Sequence, residues 1–214
     1  MLKIAHRGAN RLAPENTLEA FQLAIELGAD MIELDVRLSH DQQIMVIHDD
    51  KISDLSRSQI NQTSWGHAIP TLEQTLTLIK NQAKIDIELK ESHTLEPTVA
   101  LVKGLKMISQ VILTSFDRPT VIRLKQKYPA FKAGLIIAKL QNDELPNLLA
   151  QALEYDIDAL VLHHRLITAD LVLQVKSANC QIYAWTVNDK KELARLATLG
   201  INGLATDDLT IFNQ

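Results

Sequence analysis

The chain has 214 residues, 46% of them hydrophobic and 22% charged, with a formal net charge of −4, so a single domain can bury a sizeable core without staples. Neither sign of charge runs long enough to make a tail or a nucleic-acid stripe, and Cys180, the one cysteine, excludes an intrachain disulfide and reads as structural. No segment nears the ~20 apolar residues of a membrane span, and Met1 to Arg7 hold no signal-type apolar stretch, so the expected address is the cytoplasm.

Taken in chain order, short apolar runs alternate with amphipathic stretches of ~10 to 14 residues, the rhythm of βα units around a parallel sheet. The first run, Leu2 to His6, leads to a predicted helix over Thr17 to Leu27, with Asn16 and Glu19 as a capping box, Leu18, Phe21 and Ile25 at helical spacing, and Gly28 as the stop. The second run, Met31 to Val36, is followed after a few polar residues by Ile44 to His48, too soon for a parallel crossover. This predicts an antiparallel hairpin turning at Ser39 to Gln43, with His48 roughly opposite Glu33 to Asp35. Residues 49–70 are polar and read as a small insertion over the barrel mouth.

Six further runs follow: Lys84 to Lys90, Val111 to Ser115, Lys132 to Ile137, Asp158 to Leu162, Gln181 to Val187 and Gly203 to Asp207. Helices are predicted over Pro119 to Lys127, Glu144 to Leu153 and Lys190 to Leu199. Eight units without a second domain predict one closed TIM (β/α)8 barrel spanning residues 1–214, carrying a short hairpin and a small insertion after strand two.

Against these buried strands, several polar residues need a chemical reason. Glu33 and Asp35 are two apart, so both carboxylates leave the same face of their strand, as do Glu88 and Lys90. Burying unpaired carboxylates costs several kcal/mol each, so three of them ask for a cation, and all-oxygen ligation favours Mg²⁺ or Ca²⁺ over zinc. The alternative is neutralisation by Arg37 and Lys90 as ion pairs. His6 and His48 border the same acids and suit acid-base work, although a strand-end imidazole also serves as a satisfied, partly buried group. Arg7 and Lys90 suit phosphate oxygens, Arg7 as the better fork.

Trp185 reads either as a wall for a substrate or as packing. Asp207-Asp208 read as caps of a final turn rather than as catalytic groups. His163 and His164 are expected at the rim, and His40, His67 and His93 in exposed loops.

Ile4-Ala5-His6-Arg7-Gly8, Pro14-Glu15-Asn16-Thr17, Glu33-Leu34-Asp35-Val36 and His48-Asp49 resemble, in order and spacing, the N-terminal signature of the glycerophosphodiester phosphodiesterase family. The likeness continues through Ile69-Pro70-Thr71-Leu72-Glu73, Glu88-Leu89-Lys90, Ser115-Phe116-Asp117, Trp185-Thr186-Val187-Asn188 and Thr206-Asp207, and so covers essentially the whole chain. It implies a TIM barrel that hydrolyses glycerophosphodiesters, such as glycerophosphocholine or glycerophosphoethanolamine, to sn-glycerol 3-phosphate and an alcohol. It implies His6 and His48 as the acid-base pair, Glu33, Asp35 and Glu88 as ligands of a divalent cation, Arg7 and Lys90 as phosphate contacts, and Glu15 as support for the metal-binding residues.

The chain departs from that pattern where many relatives carry a larger insertion with Asp-Arg-Thr-Thr after His-Asp. Here Asp54-Leu55-Ser56-Arg57-Ser58 is a loose echo, which bears on substrate preference rather than on fold or reaction class. Two alternatives compete. A lysophospholipase D would need an apolar groove near residues 49–70, for which Ile52, Leu55, Ile60, Trp65 and Ile69 are available singly. A catalytically silent phosphodiester-binding barrel would be favoured by the loss of a metal ligand or histidine, and none is lost.

Overall fold

Val, Ile, Leu and Ala dominate the strand sequences and are buried on both faces, as parallel strands covered by helices require. The computed structural model describes residues 1–49, 52–63, 68–141 and 143–213. Its strands are β1 (Leu2–His6), β2 (Met31–Leu38), β3 (Ile44–Val46), β4 (Lys84–Leu89), β5 (Val111–Ser115), β6 (Lys132–Ile137), β7 (Ala159–His163), β8 (Gln181–Trp185) and β9 (Gly203–Thr206).

Parallel pairing runs β1-β9-β8-β7-β6-β5-β4-β2 and returns from β2 to β1, closing an eight-stranded barrel. β3 is the expected hairpin arm, antiparallel to β2 with Val36 against Val46, and its strand pairing ends two residues before His48. Register places His6 beside Glu33, Glu33 beside Asp86 and Asp35 beside Glu88. The polar residues of three adjacent strands therefore leave the barrel at the same C-terminal mouth, where barrel enzymes keep their chemistry.

The helices are α1 (Leu18–Glu26), α2 (Arg57–Asn61), α3 (Leu72–Ile79), α4 (Leu95–Gly104), α5 (Arg118–Lys127), α6 (Leu145–Glu154), α7 (Ala169–Ser177) and α8 (Lys190–Thr198). The start of α1 corrects the sequence expectation: Thr17, not Asn16, is the N-cap, its Oγ1 accepting from Ala20 N. Asn16 has φ +58° and its side chain is drawn into the mouth instead. After β9, a 3₁₀ turn (Leu209–Phe212) stands where an eighth barrel helix would be. No described helix is long and apolar enough to cross a membrane.

One apolar layer lies between barrel and helices; a second fills the lumen with Ile4, Met31, Ile112, Ile136, Val161 and Tyr183 among others. The insertion has a small core of its own. Ile52, Ile60 and Ile69 bury against Met45, α2 opens with a capping box of Ser56 and Gln59, and Arg57 donates to the Ile69 carbonyl at 2.7 Å. Apolar side chains that a lipid groove would require are thus spent on packing; Trp65 and His67 lie outside the described residues.

Candidate active site

The chain leaves β1 through a left-handed pair, Arg7 at φ +57° and Gly8 at φ +83°. A side chain at Gly8 would sit 2.8 Å from the backbone of Ala20 on α1, so glycine is required where the turn presses on that helix. The turn aims Arg7 N at Glu33 Oε2, 2.9 Å away, and folds the guanidinium back over the mouth. There Arg7 Nη1 donates to both Glu15 oxygens at 3.1 Å, and Nε stands 3.2 Å from Asp35 Oδ2. Lys90 Nζ reaches Glu88 Oε1 at 2.7 Å and stands 3.0 Å from Asp35 Oδ1. Asn16 Nδ2 donates to Asp35 Oδ2 at 2.9 Å.

Glu33, Asp35 and Glu88, all buried, each offer an oxygen within 4.8 Å of the others. Their electrostatics are unequal. Burial, reinforced by Asp35, Glu88 and Asp86, holds Glu33 well above the usual carboxylate range, and burial with Asp35 raises Glu88. Burial works against ionisation of Asp35 as well, but Lys90, Arg7 and the Asn16 hydrogen bond outweigh it and lower its pKa. Asp86, buried beside Glu33 in register and accepting from Thr114 Oγ1 at 2.7 Å, is pushed up to about 7 by desolvation. The two cations therefore leave Glu33 and Glu88 calling for more positive charge, a proton or a metal ion.

Asp35 Oδ1 is fully buried, with the Lys90 ammonium 3.0 Å away. Three buried carboxylates that bring one oxygen each within 4.8 Å of the others make the all-oxygen donor set of a hard divalent cation, so the residues present fit one. Ion pairing is only half of the neutralisation expected from the sequence: Lys90 takes part, whereas Arg37 turns away to Glu91 Oε1 at 2.5 Å and to the His48 carbonyl at 2.9 Å. Glu15 is half-exposed and reaches the acids only through Arg7.

A cavity of about 260 Å³ opens beside the carboxylates, with His6, His48, Arg7, Glu33, Glu88 and Lys90 in its lining and Asp86 and Thr114 deeper in the lumen. The opposite wall is apolar: Phe116, Ile136, Val161, Tyr183 and Trp185. Trp185 lines the cavity, packs edge-on to Phe116 at 5.6 Å, and donates its indole N–H to the Val161 carbonyl. His164 is tied to Glu192 at 2.7 Å, His163 packs on Trp185, and His40 and His93 are exposed, as expected of rim and loop residues.

Asp207 corrects the sequence reading most. Asp208 does cap the last turn, accepting from Thr210 N, but Asp207 Oδ1 accepts from His6 Nδ1 at 2.7 Å. Asn10 and Asn188 complete the group; in the sequence Asn16 reads as a helix cap, Asn188 stands in the family likeness without a role, and Asn10 and Asp86 are given none. Amides in loops carry no charge signature; for Asp207, its place at a strand end beside the mouth was the usable signal. His48 Nδ1 has Asp49 Oδ1 at 3.1 Å in a more exposed setting.

Residues 6–211 match the Glycerophosphoryl diester phosphodiesterase family. The chain is 32% identical to the glycerophosphodiester phosphodiesterase of Caldanaerobacter subterraneus subsp. tengcongensis, over 97% of this chain and 94% of that one. Among solved structures it is similar to the Thermotoga maritima glycerophosphodiester phosphodiesterase, with TM-score 0.86 and 26% identity over 99% and 96% of the two chains. It shares the fold of an Oleispira antarctica phosphodiesterase in complex with the product sn-glycerol-3-phosphate, with TM-score 0.84 and 24% identity over 99% and 95%. With the barrel, the acidic cluster and a family match across nearly its full length, the chain belongs to the glycerophosphoryl diester phosphodiesterase family, hydrolases of glycerophosphodiesters.

Proposed function

We propose that the chain hydrolyses small glycerophosphodiesters, with glycerophosphocholine and glycerophosphoethanolamine as representative substrates, to sn-glycerol 3-phosphate and the free alcohol, with Mg²⁺ or Ca²⁺ held by Glu33, Asp35 and Glu88. The observation that carries this reading is the convergence of those three buried carboxylates within 4.8 Å beside a cavity that two imidazoles also line. The bound sn-glycerol-3-phosphate of the Oleispira antarctica neighbour supports the product assignment.

A divalent cation, when bound, supplies charge neutralisation and polarisation of a phosphoryl oxygen. The chain's own groups do the rest. Arg7 and Lys90 offer donors to the remaining phosphate oxygens, Arg7 pre-set by Glu15. One imidazole of His6 and His48 removes the proton of the attacking hydroxyl, from water or from the glycerol C2 position. The other delivers a proton to the departing alkoxide as the P–O bond breaks; attack by water completes the hydrolysis in that step, whereas attack by the C2 hydroxyl leaves a cyclic phosphate that water, activated by the same pair in exchanged roles, then opens to sn-glycerol 3-phosphate. The apolar wall at Phe116, Trp185 and Val161 excludes bulk water and so strengthens these charge interactions.

Turnover of glycerophosphocholine by the chelator-treated protein, with Mg²⁺ or Ca²⁺ restored, tests the reading. Choline release with an ion and none in chelator is expected; folded protein that releases none with either ion would overturn it. The lysophospholipase D alternative loses its main support because Ile52, Ile60 and Ile69 are buried in the insertion's own core. A silent barrel has no missing group to recommend it.

A further inference from the structure

β1 and β9 meet where the barrel closes, with Ala5 level with Thr206. One residue further along each strand, His6 Nδ1 and Asp207 Oδ1 are 2.7 Å apart. Asp207 is itself tightly held. Asn10 Nδ2 donates to its Oδ1 at 2.7 Å and to the His6 carbonyl at 2.9 Å, so one amide clips both partners together. Asn188 Nδ2 donates to Oδ2 at 2.5 Å, while Asn188 Oδ1 accepts from Asp207 N at 2.9 Å and from Thr206 Oγ1 at 3.0 Å.

Two amide donors and His6 Nδ1 thus converge on two oxygens, and a carboxylate, which can only accept, requires the hydrogen to be on Nδ1. Only an ionised carboxylate accepts all of them. Burial opposes that ionisation, but the hydrogen bonds from His6, Asn10 and Asn188 outweigh it and hold Asp207 far below the usual carboxylate range. The acidic neighbour of His48, by contrast, is the next residue in the chain and is half-exposed.

We propose that Asp207, held by Asn10 and Asn188, is a positioning residue that fixes the His6 imidazole as its Nδ1–H tautomer and leaves Nε2 as the nitrogen that exchanges protons in the cavity. An unconstrained imidazole exchanges tautomers and turns about its side-chain bonds, and a carboxylate at Nδ1 removes both freedoms. The role rests on the acid-base reading of His6 given above.

Asp207→Asn is the informative substitution. Its amide cannot accept from His6, Asn10 and Asn188 together, because whichever way it turns its NH₂ meets a donor. With glycerophosphocholine and added Mg²⁺ or Ca²⁺, kcat is expected to fall by at least about 10²-fold while KM stays within about threefold. Nitrogen-15 NMR of the uncomplexed protein above neutral pH should show His6 as Nδ1–H in the wild type and a change of tautomer in Asp207→Asn.

Asn188→Ala, a milder change in the same group, should lower kcat by about 3- to 10-fold and keeps the test open if Asp207→Asn does not fold. Wild-type His6 found as Nε2–H would overturn the proposal. So would undiminished kcat in Asp207→Asn beside an inactive His6→Ala. Full turnover in His6→Ala is a different failure: it would remove the acid-base reading itself, and this inference with it.

Discussion

The arc of the barrel mouth built by β1, β2 and β4 carries His6, Arg7, Glu33, Asp35, Glu88 and Lys90, whereas the arc from β6 to β8 faces the same cavity with Ile136, Val161, Tyr183 and Trp185. The two arcs divide the labour. In the proposed reaction, charge is concentrated where the phosphate would be held, and the facing hydrocarbon keeps the dielectric low enough for that charge to act. Asp86 marks the boundary, since it lies on the charged arc but reaches down toward the lumen beside Thr114.

Three substitutions probe that division, beginning with the most damaging. Glu88→Gln on the charged arc keeps the shape but removes one anion of the triad. Turnover should fall by about 10³-fold or more, with weaker Mg²⁺ and Ca²⁺ binding by calorimetry. Near-normal turnover would mean that the acidic cluster is structural.

Asp86→Asn tests the boundary through stability. The folded pKa of about 7 lies above the unfolded value, so the native state binds the extra proton. Stability of the metal-free wild type should therefore decline as pH rises from about 4 to about 7 and level off above. Asn mimics the protonated form and still accepts from Thr114. Urea denaturation in chelator should show the variant more stable at pH 8 by a few kcal/mol, at most about 4, and little changed at pH 4.

Trp185→Ala on the apolar arc should act most weakly. KM is expected to rise by up to about tenfold, kcat to change by less than about threefold, and the ratio of glycerophosphocholine to glycerophosphoethanolamine hydrolysis to shift. A collapse of kcat instead would show that the division between arcs is false.

The charged arc was legible because titratable residues interrupt strands that are otherwise hydrophobic: Glu33 and Asp35 alternate with Leu34 and Val36, and Glu88 stands between Ile87 and Leu89. The hairpin was legible from the short link before Ile44. The apolar arc was not, because Ile136 and Val161 look like any barrel strand residue and only closure decides which face meets a cavity. Asn16 was misread for a related reason. Asn before a helix is a good cap, and here tertiary demand from buried Asp35 outcompetes that local preference and passes the cap to Thr17. Asp207 followed the same logic in reverse, its capping chemistry belonging to Asp208.

The contact between His6 and Asp207 spans 201 positions of the chain. A nascent polypeptide emerging from the ribosome therefore lacks this contact until its ninth strand is available, however well the preceding units have condensed. Until then β1 offers the backbone groups that β9 would satisfy, an open template for pairing with a neighbouring chain. Closure of this last seam joins strands from opposite ends of the chain, a long-range contact that costs loop entropy, and it forms the His6–Asp207 contact as it removes the aggregation-prone edge.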